Sequence, residues 1–560
     1  MYKQKKIFSL MAGFLCISAV AQPSRTLSPV ITSPGVIDQK TTTPNVGVSA
    51  DPGVKSAQSN VSDLKILVKS FRIDGVSVFS ADELLIKAGA RPNVEYGFSQ
   101  LESIAARVTQ LYRERGFLVA RAILPVQFIT DGVVNIQVFE GHFSASNSVN
   151  VKASASGKED VGAVREVLKT ALCGENFCAQ EVVTKDKVEH AIELISEVTG
   201  VKVLQSNLQP GREVGSTSLT VQTAPRAPYR VEVGIDNFGS EKTGVTQVQG
   251  RLLLNDLMNT GDQLGVSYLT TDGANLKYYG LDYSLPIGYS GWRLGGAAGR
   301  SHYIAPGVVS GGADVRTVYA SYPVMRTERR VVDYVAAYDS IDLSSDSAQS
   351  DNRKLGTFRT GFSGAFLDDA SDLGRANNEW SAMVSGMNLR LEDGRVDSNG
   401  VAGERSKFNW RYGRIQNIGS QGWFAGANAF GQFASNNLDP YSKLSLGGVN
   451  AVRAYALGEA AGDRAAVVQL SVGDGWLTSI DERTYNVSTS VFYDRGWSQR
   501  QKSPVAVAGN SAVLSGYGVE LQVNRKDHMA LRVFYARASE GESAVDAKRS
   551  RVGVSVGIAF

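Results

Sequence analysis

The last ten residues, 551–560, constrain the fold more than any other segment, because their side chains alternate strictly in character. One parity is apolar and the other small or polar; the apolar positions are Val552, Val554, Val556, Ile558 and Phe560. Successive side chains of a β-strand point to opposite faces, so the segment predicts a strand with one apolar face. Such a strand is typical of a barrel wall that faces lipid outside and a wet lumen inside.

The amino-terminal segment predicts export from the cytoplasm. Lys3, Lys5 and Lys6 precede the apolar run 7–17, and small residues at Ala19 and Ala21 follow it. This order is that of a secretory signal peptide, which we expect to span residues 1–21. No later segment has the ~20 unbroken apolar residues of a spanning helix. An exported chain without such a helix can cross a membrane as a closed barrel, in which every backbone polar group is paired.

Charge and cysteine content narrow the class of protein further. The formal charge of +3 equals the three lysines of the predicted signal peptide, so the mature chain is neutral and no nucleic-acid partner is expected. Cys173 and Cys178 are the two cysteines that remain after cleavage. In an oxidising envelope they are expected to form a short-loop disulfide, and two free thiols are the alternative.

The remaining sequence divides into a leader, two similar modules and a long strand-rich region. Residues 22–66 are rich in Ser, Thr, Pro, Val and Gly and predict a flexible leader. Residues 67–143 and 144–224 each follow the order β-α-α-β-β, with apolar residues at helical spacing in the helices. From residue 225 to 560 short alternating segments and turns recur. At ~10 residues per tilted strand plus its connections, this length predicts about sixteen strands.

Several motifs in this order resemble the two-partner secretion transporters, the TpsB family. In the first module the similar residues are Tyr112, Arg115–Phe117, Ala122–Gln127, Gly132 and Val138–Gly141, and at the barrel start they include Asp236–Asn237, Gly261–Asp262, Tyr283–Pro286 and Gly291–Trp292. The resemblance implies α+β periplasmic POTRA modules, here 67–143 and 144–224, followed by an all-β outer-membrane barrel of about 16 antiparallel strands, here 225–560.

A second set of motifs resembles the reentrant loop of that superfamily, near residues 446–463. Its tip is Val452-Arg453-Ala454-Tyr455, and Asp494 and Gly496 lie in a segment similar to the inner-wall strand that receives the loop arginine. The resemblance therefore implies an Arg453–Asp494 ion pair. The family usually has Gly at the third tip position; if that position needs a positive φ, Ala454 adds strain of about 1 kcal/mol or more.

The sequence offers little for enzymatic chemistry. Gly553–Gly557 matches the hydrolase pattern G-x-S-x-G, but that elbow is a strand-to-helix turn, whereas here it lies within a strand. The four histidines are scattered, with no Cys or acid at ligand spacing, and no phosphate-binding glycine loop occurs. We expect no catalytic residues, no metal and no cofactor. Tyrosines and tryptophans such as Tyr268 and Trp292 are interpreted as aromatic girdles rather than a carbohydrate platform.

The resemblance implies a transporter that exports one large, unfolded partner exoprotein of the haemolysin, adhesin or contact-dependent toxin class. The partner is expected to add its extended amino-terminal region to an open strand edge, with 133–139 or the neighbouring helix groove as the docking site. Outer-membrane lipid and the barrel-assembly machinery are further expected partners, the latter reading Phe560 as an assembly signal. An outer-membrane assembly factor and a passive pore or adhesin are the alternatives.

Overall fold

The structure is a computed structural model that describes residues 46–48, 65–144, 148–154, 160–173, 182–211, 213–305, 309–345, 352–369, 373–392, 396–419, 421–504, 509–526, 528–541 and 548–560. The predicted signal peptide 1–21, most of the leader 22–66 and Cys178 lie outside these residues. Cys173 is disulfide-bonded.

The amino-terminal part of the described chain alternates helices and short strands. Its elements are β1 (Val46–Val48), β2 (Ile66–Val68), β3 (Ser70–Asp74), α1 (Ala81–Lys87), β4 (Val94–Tyr96), α2 (Phe98–Glu114), β5 (Arg121–Ile123), β6 (Val133–Phe139), β7 (His142–Phe143), β8 (Val149–Lys152), α3 (Val161–Cys173), α4 (Lys185–Val198), β9 (Val201–Pro210) and β10 (Ser216–Pro225).

The rest of the described chain is built from long strands. They are β11 (Tyr229–Asp236), β12 (Gln247–Asn255), β13 (Gln263–Thr271), β14 (Leu276–Pro286), β15 (Arg293–Ala305), β16 (Val309–Arg326), β17 (Arg330–Ser345), β18 (Arg353–Asp368), β19 (Ala376–Leu391), β20 (Gly403–Ile418), β21 (Trp423–Ala434), β22 (Arg464–Ile480), β23 (Arg483–Gln499), β24 (Ser511–Arg525), β25 (Met529–Glu540) and β26 (Ser550–Ala559). Within the described connections, Asp272–Ala274 and Pro440–Ser442 form short 3₁₀ turns.

The first module packs the apolar face of α2 on a three-stranded sheet. That face consists of Leu101, Ile104, Ala105, Val108 and Tyr112, all buried. Tyr112 takes the fully buried place at the end of this stripe, whereas the neighbouring Leu111 is only partly buried. The Gln100 side chain accepts a hydrogen bond from the Gly97 N–H (2.9 Å) and so satisfies one of the free donors at the helix start.

A buried carboxylate holds the end of the last sheet strand of this module in place. Glu140, 4% exposed, accepts hydrogen bonds from the Tyr112 hydroxyl (2.8 Å), the backbone N–H groups of Ser77 (2.8 Å) and Val78 (3.0 Å), and the Ser77 hydroxyl. The acid of the Val138–Gly141 motif therefore joins α2, the turn after β3 and the end of β6.

The expectation that β6 offers an open docking edge is wrong, because β6 is the central strand of its sheet. The order is β3-β6-β5, with β3 parallel along 133–137 and β5 antiparallel along 137–139. Where β5 does not reach, the Gln127 side chain takes both backbone groups of Asn135, donating to its carbonyl and accepting from its N–H, each at 2.7 Å. The edge is thus satisfied by a side-chain amide in place of a strand.

The second module has a five-stranded sheet backed by α3 and α4. Its core includes Val167, Leu168, Ile192, Ile195 and Leu219, and Leu118 and Val119 of the first module pack against it. The Lys185 N–H also donates to the Gly116 carbonyl (2.8 Å). Shared core contacts and backbone hydrogen bonds therefore join the two modules.

One edge of this sheet carries a segment of the leader. The order is β1-β9-β10-β7, and β8 also pairs with β10. The β1 strand runs parallel to β9, with Val46, Gly47 and Val48 opposite Ser206, Asn207 and Leu208. The register between β9 and β10 shifts at Gln222/Thr223, which leaves Leu204 as an extra, bulged residue that is 49% exposed.

Strands β11 to β26 form one closed barrel of 16 antiparallel strands, closed by pairing between β11 and β26. This confirms the predicted barrel and its strand number. Outward positions are apolar and exposed, as at Val318, Tyr338, Phe358, Val491 and Val519. Inward positions carry polar groups, including the ion pairs Arg251–Asp282 (3.0 Å) and Arg359–Asp339 (2.7 Å). The alternation seen at 551–560 thus recurs around the wall.

None of the helices in the described ranges combines the length and apolarity needed to cross a membrane.

The second module sits directly on the turns at one end of the barrel. Arg326 at the end of β16 is almost fully buried and donates to the Glu197 carboxylate of α4 (2.7 Å) as well as to Asp333. Arg293 donates to the Glu197 backbone carbonyl (2.5 Å), and the Glu328 N–H donates to the Glu189 carboxylate (2.9 Å). The helix α4 therefore meets the barrel through buried, charge-assisted hydrogen bonds.

Candidate functional site

The longest connection between barrel strands, residues 435–463, enters the barrel from the end opposite the modules; we call it the inner loop. It folds on itself through backbone hydrogen bonds from Leu446 to Glu459 (3.0 Å), Val452 to Leu446 (2.9 Å) and Gly462 to Leu444 (2.9 Å). Its apolar side chains are buried on the inner wall of β22 to β25, against Phe492, Leu514, Phe534 and Ala536. A hydrophobic contact surface thus places the loop on one side of the lumen.

Two buried carboxylates anchor the ends of the inner loop to the wall. Asp439 pairs with Arg353 of β18 (2.6 Å), with both side chains 4% exposed. Asp463 accepts from the N–H groups of Leu438 (3.0 Å) and Lys502 (2.8 Å) and pairs with Lys443 (3.0 Å). The loop tip is therefore held at both its entry and its exit.

At the tip, Arg453 makes a two-point contact with Asp494 on the inner face of β23. Its Nε donates to Oδ2 (2.8 Å), its Nη2 donates to Oδ1 (2.6 Å), and its backbone N–H donates to Oδ2 (3.1 Å). Asp494 is fully buried and Arg453 is 7% exposed. The structure thus brings together the two residues that the motif resemblance paired.

A second carboxylate, which the sequence analysis missed, completes the site. Glu520 on the inner face of β24 accepts from Arg453 Nη1 (2.7 Å), from Arg532 of β25 (2.9 Å) and from Gln522. The guanidinium of Arg453 also lies over the Phe492 ring, 3.4 Å from its centroid, in a cation–π contact. Arg453 and Arg532 therefore form a charge-balanced cluster with Asp494 and Glu520, built from the loop tip and three strands. We call it the inner-loop cluster.

One sequence signal could have found Glu520. Gly516, Gly518, Glu520 and Gln522 share the inward parity of β24, while Tyr517 and Val519 share the outward, exposed parity. A charged residue at inward parity in the middle of a barrel strand needs a partner in the lumen, and Arg453 is the cation nearest to it from the loop.

Glycines on the wall make room for the loop tip. A Cβ at Gly516 would lie 2.7 Å from the Ala454 Cβ, and one at Gly496 would lie 3.1 Å from Leu446 Cδ2. Gly496 therefore serves close approach of the loop to β23, and Gly516 does the same on β24. Ala454 is not among the residues with positive φ, so the strain considered for an alanine there does not arise.

The last motif residue, Tyr455, ties the tip to the far strand pair. Its buried hydroxyl donates to the backbone carbonyls of Glu540 (2.6 Å) and Gly541 (3.1 Å), at the end of β25. Val452 is fully buried in the same apolar cluster. Each residue of the tip motif 452–455 thus contacts a different part of the wall.

Phe560 lies at the opposite end of the wall, beside the modules. Its N–H donates to the Val231 carbonyl (2.9 Å) and its carbonyl accepts from the Val231 N–H (3.2 Å), while its ring is 73% exposed on the outer surface. Phe560 therefore belongs to the seam between β11 and β26 and is separate from the inner-loop cluster.

Two family models match the chain. Residues 66–141 match the POTRA domain of ShlB type, and residues 215–333 match the haemolysin secretion/activation protein ShlB/FhaC/HecB. The heme/hemopexin transporter protein HuxB of Haemophilus influenzae is 25% identical over 459 residues, which cover 79% of this chain and 78% of that protein.

Solved structures share the whole architecture. CdiB from Escherichia coli superposes with a TM-score of 0.69 at 18% identity, covering 91% of this chain and 93% of CdiB. CdiB from Acinetobacter baumannii superposes with a TM-score of 0.60 at 15% identity, covering 95% and 94%. The two matched family models, the relatives aligned over most of the chain and the shared fold agree: the chain is similar to the outer-membrane transporters of two-partner secretion, the TpsB family.

Proposed function

We propose that this chain captures one large, unfolded exoprotein in the periplasm and threads it through the barrel to the cell surface. The observation that carries the proposal is the inner-loop cluster, in which Arg453 bridges Asp494 and Glu520 inside a 16-strand barrel that follows two modules, the first of which matches a POTRA model. This arrangement supplies a periplasmic capture arm and a lumen with one defined loop on its wall.

The two modules supply the capture arm. The sheets are of the kind that accept an extended chain as an added strand, with backbone hydrogen bonds giving affinity and alternate side chains giving selectivity. Their firm contact with the barrel turns, through Arg326 and Glu197, holds the captured chain close to the periplasmic mouth. The partner then enters the lumen as an unfolded segment.

The Arg453 cluster acts as a latch that keeps the inner loop against β22 to β25. A guanidinium with two-point contact to one carboxylate and a single contact to another is strongly oriented. Removing either partner would leave a buried charge unpaired, so the loop has one favoured position while the cluster is intact. In that position the loop tip stays packed against the inner wall of β22 to β25.

Direction comes from folding of the exported protein outside the cell. The periplasm supplies no nucleotide, so a folded domain at the surface that cannot re-enter the lumen is the source of one-way movement. Outer-membrane lipid contacts the apolar outer face, and the barrel-assembly machinery reads Phe560 during insertion.

The relatives suggest the class of cargo. HuxB carries the name heme/hemopexin transporter protein, and the matching family model is described as haemolysin secretion/activation. We place the cargo of this chain among large exoproteins of the haemolysin, adhesin or contact-dependent toxin class.

Deletion of the gene and comparison of the external proteins by mass spectrometry test the proposal. Loss of one large exoprotein, restored by the complemented strain and with outer-membrane composition unchanged, is the expected result and names the cargo. Loss of many outer-membrane proteins with no single missing exoprotein would overturn the export function and point to an assembly factor.

A further inference from the structure

The outer wall of the barrel carries a row of charged side chains at the end opposite the modules. Charges on the lipid-facing side of a barrel are costly at mid-membrane depth, so their position needs a reason. The row consists of residues directly opposite one another on the neighbouring strands β15 to β19: Arg300, Asp314, Asp342, Lys354 and Arg390. These residues have the outward parity of the exposed apolar side chains Val318, Tyr338 and Phe358.

The charged row borders the apolar band of the wall. From Arg316 toward the modules, the outward positions of β16 are apolar or aromatic: Val318, Ala320, Tyr322 and Val324. Ten residues separate Arg316 from Arg326, which contacts the second module. Ten residues of a strand tilted by ~45° rise about 23 Å, close to the height of about 25 Å that the apolar band has on such barrels. The row therefore lies at the depth of lipid headgroups.

The cations at this place outnumber the carboxylates. Arg316 adds a cation one outward position further along β16, and Lys277 adds another on β14, opposite His302. With the row these two residues form a surface of five cations and two carboxylates, which we call the outer patch. The side chains of Arg300, Arg316 and Lys354 are 73%, 70% and 80% exposed. Three positive charges are thus in excess on a surface that faces outward.

The two carboxylates hold the cations in place without neutralising the patch. Asp314 accepts hydrogen bonds from Nε (2.6 Å) and Nη2 (2.9 Å) of Arg300. Asp342 lies between Arg316 and Lys354, 3.8 Å from a nitrogen of each, and such loose, exposed pairs contribute little to stability. Arg390 is exposed and has no ion-pair partner among the residues that the structure describes. The patch can therefore bind an anion without first breaking a strong internal contact.

We propose that the outer patch binds the phosphates of a phosphorylated glycolipid in the outer leaflet of the outer membrane. The modules lie in the periplasm, so the opposite end of the wall meets that leaflet. Arginine binds phosphate through paired hydrogen bonds and lysine binds it as a point charge. A lipid fits better than a soluble anion, because Val318, Tyr338 and Phe358 offer an apolar surface for acyl chains directly beside the cations. The inference needs only the outer-membrane location and is independent of which protein is exported.

Titration of the purified full-length chain with bis-phosphorylated lipid A tests the patch, with the apparent Kd measured by native mass spectrometry in a non-ionic detergent. Lys354→Ser combined with Arg390→Ser should weaken binding about tenfold or more. Arg495→Ser combined with Arg537→Ser is the matched control, since it removes two exposed cations from the outer face of β23 and β25 at the same end. The control should keep the wild-type Kd. An equal Kd in the patch variant and wild type would overturn the site, provided that heat-modifiable migration shows a folded barrel in both.

A variant that gains affinity separates a binding role from a structural one. Asp342→Asn removes a negative charge from between Arg316 and Lys354, so lipid A should bind about threefold more tightly. A merely structural role for these charges gives no gain. Unchanged or weaker binding by Asp342→Asn would contradict phosphate recognition at this place.

Two further probes identify the source of the phosphate. Lipid A from which both phosphates have been removed should bind about tenfold more weakly than the bis-phosphorylated form, and equal binding would overturn recognition through phosphate. Inorganic phosphate at the concentration of the lipid should leave the bound lipid A in place. Its displacement by inorganic phosphate would assign the patch to a free anion and overturn the glycolipid site.

Discussion

At the residue scale, the inner-loop cluster is the feature for which loss of a single charged side chain matters most. Arg453, Asp494 and Glu520 are all buried, and breaking a buried ion pair by removing one partner costs about 3–5 kcal/mol. The loop can avoid that cost only by leaving the wall. Loss of charge balance should therefore appear as loss of transport rather than loss of the barrel.

We expect Arg453→Ala and Asp494→Ala each to reduce secretion about tenfold or more, which corresponds to ~1.4 kcal/mol or more. Immunoblots of culture supernatant measure secretion, and heat-modifiable migration of the barrel measures insertion, which should be normal. Arg495→Ala is the matched control, since Arg495 follows Asp494 on β23 but is exposed and pairs with Glu540 at 3.3 Å. Unchanged secretion by Arg453→Ala would rule out the latch.

The glycine on β24 gives a second prediction. Gly516→Ala should displace the loop tip, because its Cβ would lie 2.7 Å from that of Ala454 and 2.9 Å from the Arg537 carbonyl. Adding Ala454→Gly removes the first clash and not the second, so secretion should recover in part. A double variant no better than Gly516→Ala would show that the Ala454 contact is unimportant.

Glu140 in the first module predicts acid sensitivity. Burial alone would raise the pKa of this carboxyl, but hydrogen bonds from Ser77, Val78 and Tyr112 outweigh burial, so its pKa is lowered from the usual 4.5. A lowered folded-state pKa means that its contribution to stability is complete above about pH 4.5 and is lost as the pH falls through the folded value.

Replacing that carboxylate should remove its contribution to stability even at neutral pH. Glu140→Gln is expected to destabilise the first module by about 1–3 kcal/mol, because donors are left unpaired. Pulse proteolysis in urea at pH 7 and pH 4 measures this, and the variant should show less change between the two pH values than wild type. The exposed Glu102→Gln is the control, and an identical pH response in Glu140→Gln would contradict the assignment.

At the scale of elements, the contact between α4 and the barrel turns sets the position of the modules. Arg326 is 3% exposed and contacts both Glu197 and Asp333, whereas the neighbouring pair Lys185–Glu328 is 38% and 55% exposed. Buried pairs are costly to break and exposed pairs contribute about 0–1 kcal/mol, so the two contacts should behave differently.

Glu197→Lys should therefore release the second module, since it places a cation beside Arg326. Spin labels on the module and on a barrel turn should give a broad distance distribution in this variant and a narrow one in wild type. Lys185→Ala should keep the narrow distribution. A narrow distribution in Glu197→Lys would mean that the core contacts of α4 alone fix the module.

Strand periodicity predicted which segments form strands, but it did not predict which strands pair with each other. The period-two pattern at 551–560 and the length of the strand-rich region were enough to predict a closed barrel of about sixteen strands, because each wall strand must alternate between lipid and lumen. The central place of β6 was not predictable from its own residues. Pairing partners depend on chain reversals far away in sequence, and Gln127 imitates a strand with a side chain.

At the scale of the whole molecule, the dependence of strand pairing on distant residues also explains why the sequence analysis did not predict the full inner-loop cluster. The pairing of Arg453 with Asp494 followed from motif resemblance, but Glu520 and Arg532 are joined to them only by the register of β23, β24 and β25. Strand register across a barrel is a property of the closed wall, so charges on three strands cannot be aligned from one sequence by spacing. The pairing of the leader strand β1 with β9 likewise joins residues far apart in sequence and could not be predicted from spacing.

The closure of the barrel is its mechanically weakest line. Strand β11 shares five paired positions with β26, Glu232 to Asp236, whereas β22 shares seventeen with β23. Both chain ends of the barrel meet at the module side, so handles attached at Arg226 and Phe560 would load this seam one hydrogen bond at a time. In an optical trap, we expect a low-force first rupture that unzips the seam toward Asp236, and a disulfide joining Gly234→Cys to Gly557→Cys should remove that event.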